Sequence, residues 1–330
     1  MAAAINMNAY QQVCSWAYAS LGADPTARPL IVTEPQSMVD RDRIRLCEML
    51  FETLNVPACY LRPQPLLSLY SYGSTSGVVV DIGERIDVVA FDQGLTIDRA
   101  DTHLRWGGAE ITDNFARMLM ESGYRFYSPV EAYVARLVKE RTVFITSDYE
   151  EALAHEKELA ASTVDVRRYA IPDGTKVYSV GSATFRAVEG LFQPNMYGKD
   201  ALGLHEMVHK AIQAAPIDSR RALCRSVFLS GGTSMISGLD ERLRKEVQAL
   251  VPSSSQVSVH AHKYRHHAAF RGAGMLATLA NFESMCVWQD DWNEVMVLGV
   301  WFKICCIYMY VYMCMCMYMC TYMYVSKQHL

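Results

Sequence analysis

The stretch Gly77-Val78-Val79-Val80-Asp81-Ile82-Gly83-Glu84-Arg85 decides the fold. Three consecutive β-branched residues without polar alternation read as a strand buried on both faces. That strand ends in Asp81-Ile82-Gly83, and Ile86 to Phe91 reads as a second strand with Asp92-Gln93-Gly94 as its turn. The pair is a hairpin whose turn carries Asp81, Gly83 and Glu84. A buried strand here delivers a carboxylate at its end, and the glycine beside it lets backbone amides come close to an anion. An Asp in that place suits a hydrated Mg²⁺ carried by a nucleotide.

A second element of the same design lies far downstream. Val227-Phe228-Leu229 is an apolar strand running into Ser230-Gly231-Gly232-Thr233, and paired glycines allow close packing of a flat or anionic group. Each motif alone is a common loop. Their order, with helical segments between them, is what carries weight.

The rest of the body alternates. Pro29 to Pro35 reads as a short strand between two prolines within a turn-rich stretch that begins at Ala17. Helices are expected over Arg41–Leu54, Pro65–Tyr72, Ile111–Ser122 (stopped by Gly123), Glu150–Ala161, Gly238–Leu250 (capped by Ser237) and Phe270–Phe282. Ser128-Pro129-Val130-Glu131 is a capping box with proline in the first turn, opening a helix to about Arg141. Val143-Phe144-Ile145 reads as a strand, and Asp173-Gly174 as a hairpin turn. Interleaved helices, strands and hairpins indicate an α/β chain with mixed sheets.

Composition narrows the function classes. The 330 residues suggest two domains. A formal net charge of −4 argues against a duplex-binding module carried by bulk positive charge. Ile304 to Val325 holds six Met, six Tyr and five Cys, half of the chain's 10 cysteines. This tract has three readings. Its codons fit a translated alternating purine–pyrimidine repeat, which is the preferred reading. It is also long enough for a membrane span, flanked by Lys303 and Lys327, though nearly devoid of Leu, Ile, Phe and Ala. The third reading is a Cys/Met metal tract, for which the spacing has no ligand logic. The other cysteines, Cys14, Cys47, Cys59, Cys224 and Cys286, show neither metal spacing nor a disulfide framework, so a reducing compartment is expected. His260, His262, His266 and His267 share a loop with Lys263 and Arg265, which reads as a solvated basic loop in preference to a metal site.

Several stretches together resemble actin and the actin-related proteins. They are Phe51-Glu52-Thr53-Leu54-Asn55-Val56-Pro57-Ala58, Leu67-Ser68-Leu69-Tyr70, Gly77 to Asp81, Gly107-Gly108-Ala109-Glu110-Ile111-Thr112-Asp113, Lys139-Glu140, Pro172-Asp173-Gly174, Phe185-Arg186, Leu191-Phe192-Gln193-Pro194 and Leu229 to Thr233. The resemblance covers about Pro29 to Val295. It implies an actin-like ATPase fold of the ribonuclease H-like class, with two lobes and ATP or ADP plus Mg²⁺ or Ca²⁺ between them. By residue, it implies that Asp81 faces the hydrated metal and that Gly83 opens the second phosphate hairpin. Lys139 and Glu140, with Arg136 one turn earlier, border the purine and ribose. Gly231, Gly232 and Thr233 form the nucleotide-contacting turn, and Gln64 orients the attacking water. Tyr70, Leu276, Leu279 and Met285 match a cleft where helical partner segments insert; ordinary core packing is the competing reading.

The departures from the family pattern matter as much. The first phosphate loop and the small lobe after it have no counterpart, so the first lobe is expected to be incomplete. Arg85 stands where the family has glycine, Asp87 near a histidine that organises the catalytic water, and Ile236 in place of the purine-flanking tyrosine. His266 falls near a family lysine. Residues 1–71 are expected to form the partial first lobe, 72–267 the second lobe, 268–295 helices returning to the first, and 296–330 a tail apart from the body. The expected function is an actin-related scaffold in the cytoplasm or cytoskeleton, with the nucleus also open to it. It would bind protein partners and no nucleic acid, hold ATP as a structural ligand, and hydrolyse it poorly or not at all. The alternatives are an active phosphotransferase of the actin–sugar kinase superfamily, and a tail-anchored membrane-associated protein.

Overall fold

The computed structural model describes residues 6–161, 168–170 and 177–298. Its strands are β1 Leu30–Glu34, β2 Ala58–Pro63, β3 Gly77–Ile82, β4 Ile86–Asp92, β5 Leu95–Leu104, β6 Arg168–Ala170, β7 Val177–Ser179, β8 Val227–Ser230, β9 Val259–His260 and β10 Val287–Trp288. The chain divides into two compact units. Described residues of Met1–Ser71 and Ala269–Leu330 make the first, and Tyr72–Ala268 the second.

In the first unit β2 is the centre of a three-stranded sheet, paired in parallel with β1 and antiparallel with β10. The apolar run Ala58-Cys59-Tyr60-Leu61 is buried because both edges of β2 are covered. Leu50, Phe51, Val56 and Leu61 form a core with Trp292, whose ring stacks on Phe51 at 5.6 Å. The expected helix Arg41–Leu54 is a helix Asp40–Glu48 that relaxes into a π-turn over Met49–Thr53.

The stretch read as turn-rich from Ala17 begins inside a helix, Met7–Leu21. Asn6 caps its start by accepting from Ala9 N at 3.1 Å, and Gly22 ends it in the left-handed region. The helix buries no residue fully and leaves Val13, Trp16 and Leu21 exposed, so no apolar stripe announces it.

The second unit is built on a five-stranded sheet in the order β5-β4-β3-β8-β9. β3 pairs antiparallel with β4 and in parallel with β8, in a register that sets Asp81 beside Ser230. Val78, Val80, Ile82 and Val88 point into one core with Phe115, Val208 and Leu243 from three helices, Gly108–Glu121, Leu204–Ala214 and Leu239–Leu250. The capping box is formed as expected: Glu131 N donates to Ser128 Oγ at 3.2 Å, and Ser128 N donates to the Glu131 carboxylate at 2.9 Å. The expected helix Ile111–Ser122 is seen as Gly108–Glu121, with Gly123 at φ 93° just beyond its end.

Three local expectations are corrected. Val143-Phe144-Ile145 makes a single parallel bridge, Phe144 to Ser237, and no strand. Ser237 is not the cap of the following helix. Gly238 holds that place at φ 83°, where a side chain would run into the Ile145 carbonyl. The helix expected over Phe270–Phe282 ends at Ala277, and a separate short helix Phe282–Met285 follows. The Asp173-Gly174 turn and the tract 304–325 lie outside the described residues. Among the described residues, no helix is long and apolar enough to cross a membrane.

Gly272 tests the packing of the first unit, because a Cβ there would collide with the carbonyl oxygen of Leu67. Gly272→Ala is expected to cost about 1–3 kcal/mol. Gly274→Ala, two residues on and facing open space, should be neutral or stabilising by up to about 1 kcal/mol. Thermal unfolding of the two variants checks this, and equal melting temperatures would contradict it.

Candidate functional site

Parallel pairing of β3 with β8 sets the turns that follow them side by side. Gly231 sits at φ 90°, and a Cβ there would lie 2.6 Å from Asp81 Oδ1 and against the Ile82 carbonyl. Only glycine fits that crossing. A third turn arrives at the start of the helix Gly108–Glu121. Gly108 N donates to the Gly83 carbonyl at 2.7 Å. A side chain at Gly107 would strike that same oxygen, and one at Gly108 would lie 2.6 Å from Thr233 Oγ1. Thr233 Oγ1 in turn reaches the Gly83 carbonyl at 3.5 Å.

Gly83 and Gly232 differ from these. No atom lies within 4 Å of the place a Cβ would take at either position, so contacts within the chain do not require glycine there. Both line a cavity of about 910 Å³, together with Thr233, Arg136, Lys139 and Glu140. The cavity thus has bare backbone at one end, where an anion can approach amides without a side chain intervening.

Lys139 is 8% exposed, and its Nζ donates to the Gly108 carbonyl at 3.1 Å and to Thr112 Oγ1 at 2.9 Å. Both acceptors are neutral. Burial therefore pulls the ammonium below the usual lysine range, aided by Arg136 and opposed by Glu140 and Glu84. Arg136 and Glu140 pair across one helical turn at 2.9 Å, both well exposed. Such a pair contributes little stability, about 0.3–0.5 kcal/mol, and is available to a ligand.

Asp81 is 5% exposed, and its cross-strand partner is Asp87. Burial and then the Asp87 charge push its carboxyl up to about 6, against the Ser230 hydroxyl and Arg85. Asp87 is itself held by Arg85 Nε at 3.3 Å and by His103 Nδ1 at 2.8 Å. The Arg85 side chain is thereby directed to Asp87, and Arg85 is not among the residues around the cavity.

Of the residues named from sequence, Gly83, Arg136, Lys139, Glu140, Gly232 and Thr233 come together at one cavity. Asp81 and Gly231 stand behind its turns. Gln64 opens the helix Gln64–Ser71 in the first unit. Tyr70, Leu276 and Met285 are buried in that unit and Leu279 is half-buried, so of these four Leu279 offers the most surface to a partner. Ile236 and His266 line the cavity, as does Tyr133, which the sequence reading did not single out. Tyr133 lies one turn before Arg136 and two before Glu140, and that helical spacing is the signal that was there to find. Of the other histidines of the basic loop, His267 packs its ring on His266 at 4.0 Å, His260 Nε2 donates to the Arg225 carbonyl, and His262 Nδ1 accepts from Tyr264 N. Among the described residues, no group of three or more His, Cys, Asp or Glu is placed to hold a metal ion.

The raised Asp81 carboxyl fixes a sign. The folded chain takes this proton more readily than the unfolded chain, so the penalty for burying the charge is full above about pH 6 and fades on acidification. Asp81→Asn is expected to be more stable than the native chain near pH 7.5, by as much as about 3 kcal/mol at two pKa units. The gap should shrink to roughly half by about pH 5 and close only below about pH 4, near the unfolded value of 3.8. Melting temperatures at the two pH values measure it, and a variant less stable than the native chain near pH 7.5 would refute it.

Comparison with known proteins places this geometry. The family model described as Actin matches residues 3–300. An "Actin-like protein" from Neurospora crassa is 35% identical over 286 residues, covering 84% of this chain and 74% of its own length. Proteins of this family typically bind a nucleotide with a divalent metal. The mixed sheet, the glycine turns closing on Gly83 and the extent of both matches lead to one conclusion: the chain belongs to the actin family.

Proposed function

We propose that the cavity of the second unit holds ATP or ADP as a structural ligand, and that the chain works as an actin-related scaffold through protein partners. One observation carries the nucleotide reading. Gly83 and Gly232 have open space where a side chain would stand, and both face the cavity. The polar groups around them suit the ligand. Gly83, Gly232 and Thr233 would hold phosphate through the backbone and the hydroxyl. Lys139, held by neutral acceptors alone, gains from a nearby anion. Arg136 and Glu140 would border the ribose and purine, with Ile236 giving an apolar face. Asp81, a buried carboxylate opposite another, suits a hydrated Mg²⁺ or Ca²⁺, which would supply positive charge beside the phosphates.

Hydrolysis is proposed to be weak. Catalysis of phosphoryl transfer depends on positioning a water and surrounding the phosphate with donors. Here Arg85 adds a side chain at the phosphate turn and is drawn to Asp87, while each oxygen of Asp87 is already engaged, Oδ2 by Arg85 and Oδ1 by His103. Both side chains are thus committed to each other and to His103, away from a water at the phosphate. The family is generally cytoplasmic and cytoskeletal; we place this chain there too, in assemblies with other proteins.

Binding of a fluorescent ATP analogue to the full chain tests the reading. Lys139→Ala and Gly232→Val are each expected to weaken binding at least about tenfold, the loss of one charge-assisted contact or the filling of the cradle. Circular dichroism should remain native. An unaltered affinity in both variants would overturn the site. ATP turnover that disappears in Asp81→Asn would instead favour the phosphotransferase alternative.

A further inference from the structure

β5 places His103 directly opposite Asp87 of β4. Both ring nitrogens meet carboxylates: Nδ1 lies 2.8 Å from Asp87 Oδ1, and Nε2 lies 2.8 Å from Asp101 Oδ2. A neutral imidazole has one N–H and one lone pair, so it would set that lone pair against an anionic oxygen. The arrangement is therefore that of an imidazolium donating at both ends. The contacts continue from Asp87 to Arg85 at 3.3 Å, and Arg85 O accepts from Gly83 N at 2.9 Å across the turn. An unbroken series of polar contacts thus runs from Asp101 through His103, Asp87 and Arg85 to the glycine that faces the cavity.

The surroundings of His103 within this unit are simple. Among the described residues, Asp101 of its own strand, Asp87 across the ladder, Asp81 one strand further and Arg85 at the turn are charged groups on its face, and Arg105 follows two residues on, just past the strand, with the same alternation. The helix Leu204–Ala214 also packs on β5, but its Val208 joins the core on the side of Val88 and Ile86, which strand alternation sets opposite Asp87 and His103. Its His205, Glu206, His209 and Lys210 therefore belong to the other side of the sheet.

We propose that protonated His103 is a positioning residue that braces the Gly83–Arg85 turn, and that loss of its proton loosens the hold of that turn on the phosphates of a nucleotide. The proposal rests on the nucleotide reading above. Without the proton one of the two carboxylate bonds must break, and Asp87 is freed to pull Arg85 out of place. Hydrogen bonding to Asp87 first, and then to Asp101, holds the His103 pKa above that of an ordinary histidine, against burial. The brace is accordingly closed on the acidic side of that raised value and opens as pH rises through it.

The experiment measures affinity for a fluorescent ATP analogue from about pH 6 to pH 9, alongside hydrogen-exchange protection of the amides from Gly83 to Asp87. In the native chain affinity should fall about tenfold across the titration, the equivalent of one charge-assisted hydrogen bond. His103→Arg, a cation that keeps its proton and can span two carboxylates, should stay tight throughout. His103→Asn should bind weakly at every pH. A flat profile in the native chain, or a His103→Arg profile that falls with pH as the native one does, overturns the brace. If no nucleotide binds at any pH, the nucleotide reading fails, and amide protection then decides alone. Protection lost with rising pH in the native chain but kept in His103→Arg supports the brace, and equal loss in both overturns it.

Discussion

The carbonyl oxygen of Gly83 is the point on which the second unit closes. It accepts from Gly108 N at 2.7 Å, lies within reach of Thr233 Oγ1, and leaves no room for a side chain at Gly107. Three turns distant in sequence are brought together there at backbone separation. Buried backbone groups must be paired, and here the pairing joins the ends of β3, the helix Gly108–Glu121 and the turn after β8. The parallel register of Val78 with Val227 is what makes this convergence possible, since it brings both strand ends to the same level.

That constraint separates two kinds of glycine. Gly107, Gly108 and Gly231 are fixed by neighbouring atoms of the chain itself, and a side chain at any of them would break the convergence. Gly83 and Gly232 are free of such neighbours, yet they sit on the same turns and face the cavity. The first group builds the site and the second leaves it open. A glycine-rich loop read as one motif in sequence is therefore two devices in the structure.

The parts of this design that were legible in sequence are those written locally. Val78-Val79-Val80 and Val227-Phe228-Leu229 are strands because unbroken apolar runs between turn residues have few other fates. The box at Ser128 is a helix start because its hydroxyl and the Glu131 carboxylate satisfy amides that the helix leaves unpaired. What escaped was set by contacts distant in sequence. Ser237 has the composition of a cap, but the approach of Ile145 to Gly238 moved the helix start one residue on. Asp101 and His103 alternate along β5 as an ordinary solvated strand face would, and only the ladder to β4 reveals that His103 lies between Asp87 and Asp101. The helix Met7–Leu21 has good caps at both ends but too little buried surface for its pattern to be read.

The two perturbed groups of the site point in complementary directions. Burial lowers Lys139 and raises Asp81, so each is pushed towards its neutral form. A fold has cheaper ways to fill such places, because an apolar residue of similar volume avoids the desolvation cost altogether. Lys139 spends its donors on neutral oxygens and Asp81 faces a second carboxylate, so neither is neutralised by the partner nearest to it. An anion near Lys139 and a cation near Asp81 would each favour the charged form. A nucleotide polyphosphate with its divalent metal carries both charges at once. A lone anion would answer only the first of these perturbations, and the proposed metal-bound nucleotide would answer both.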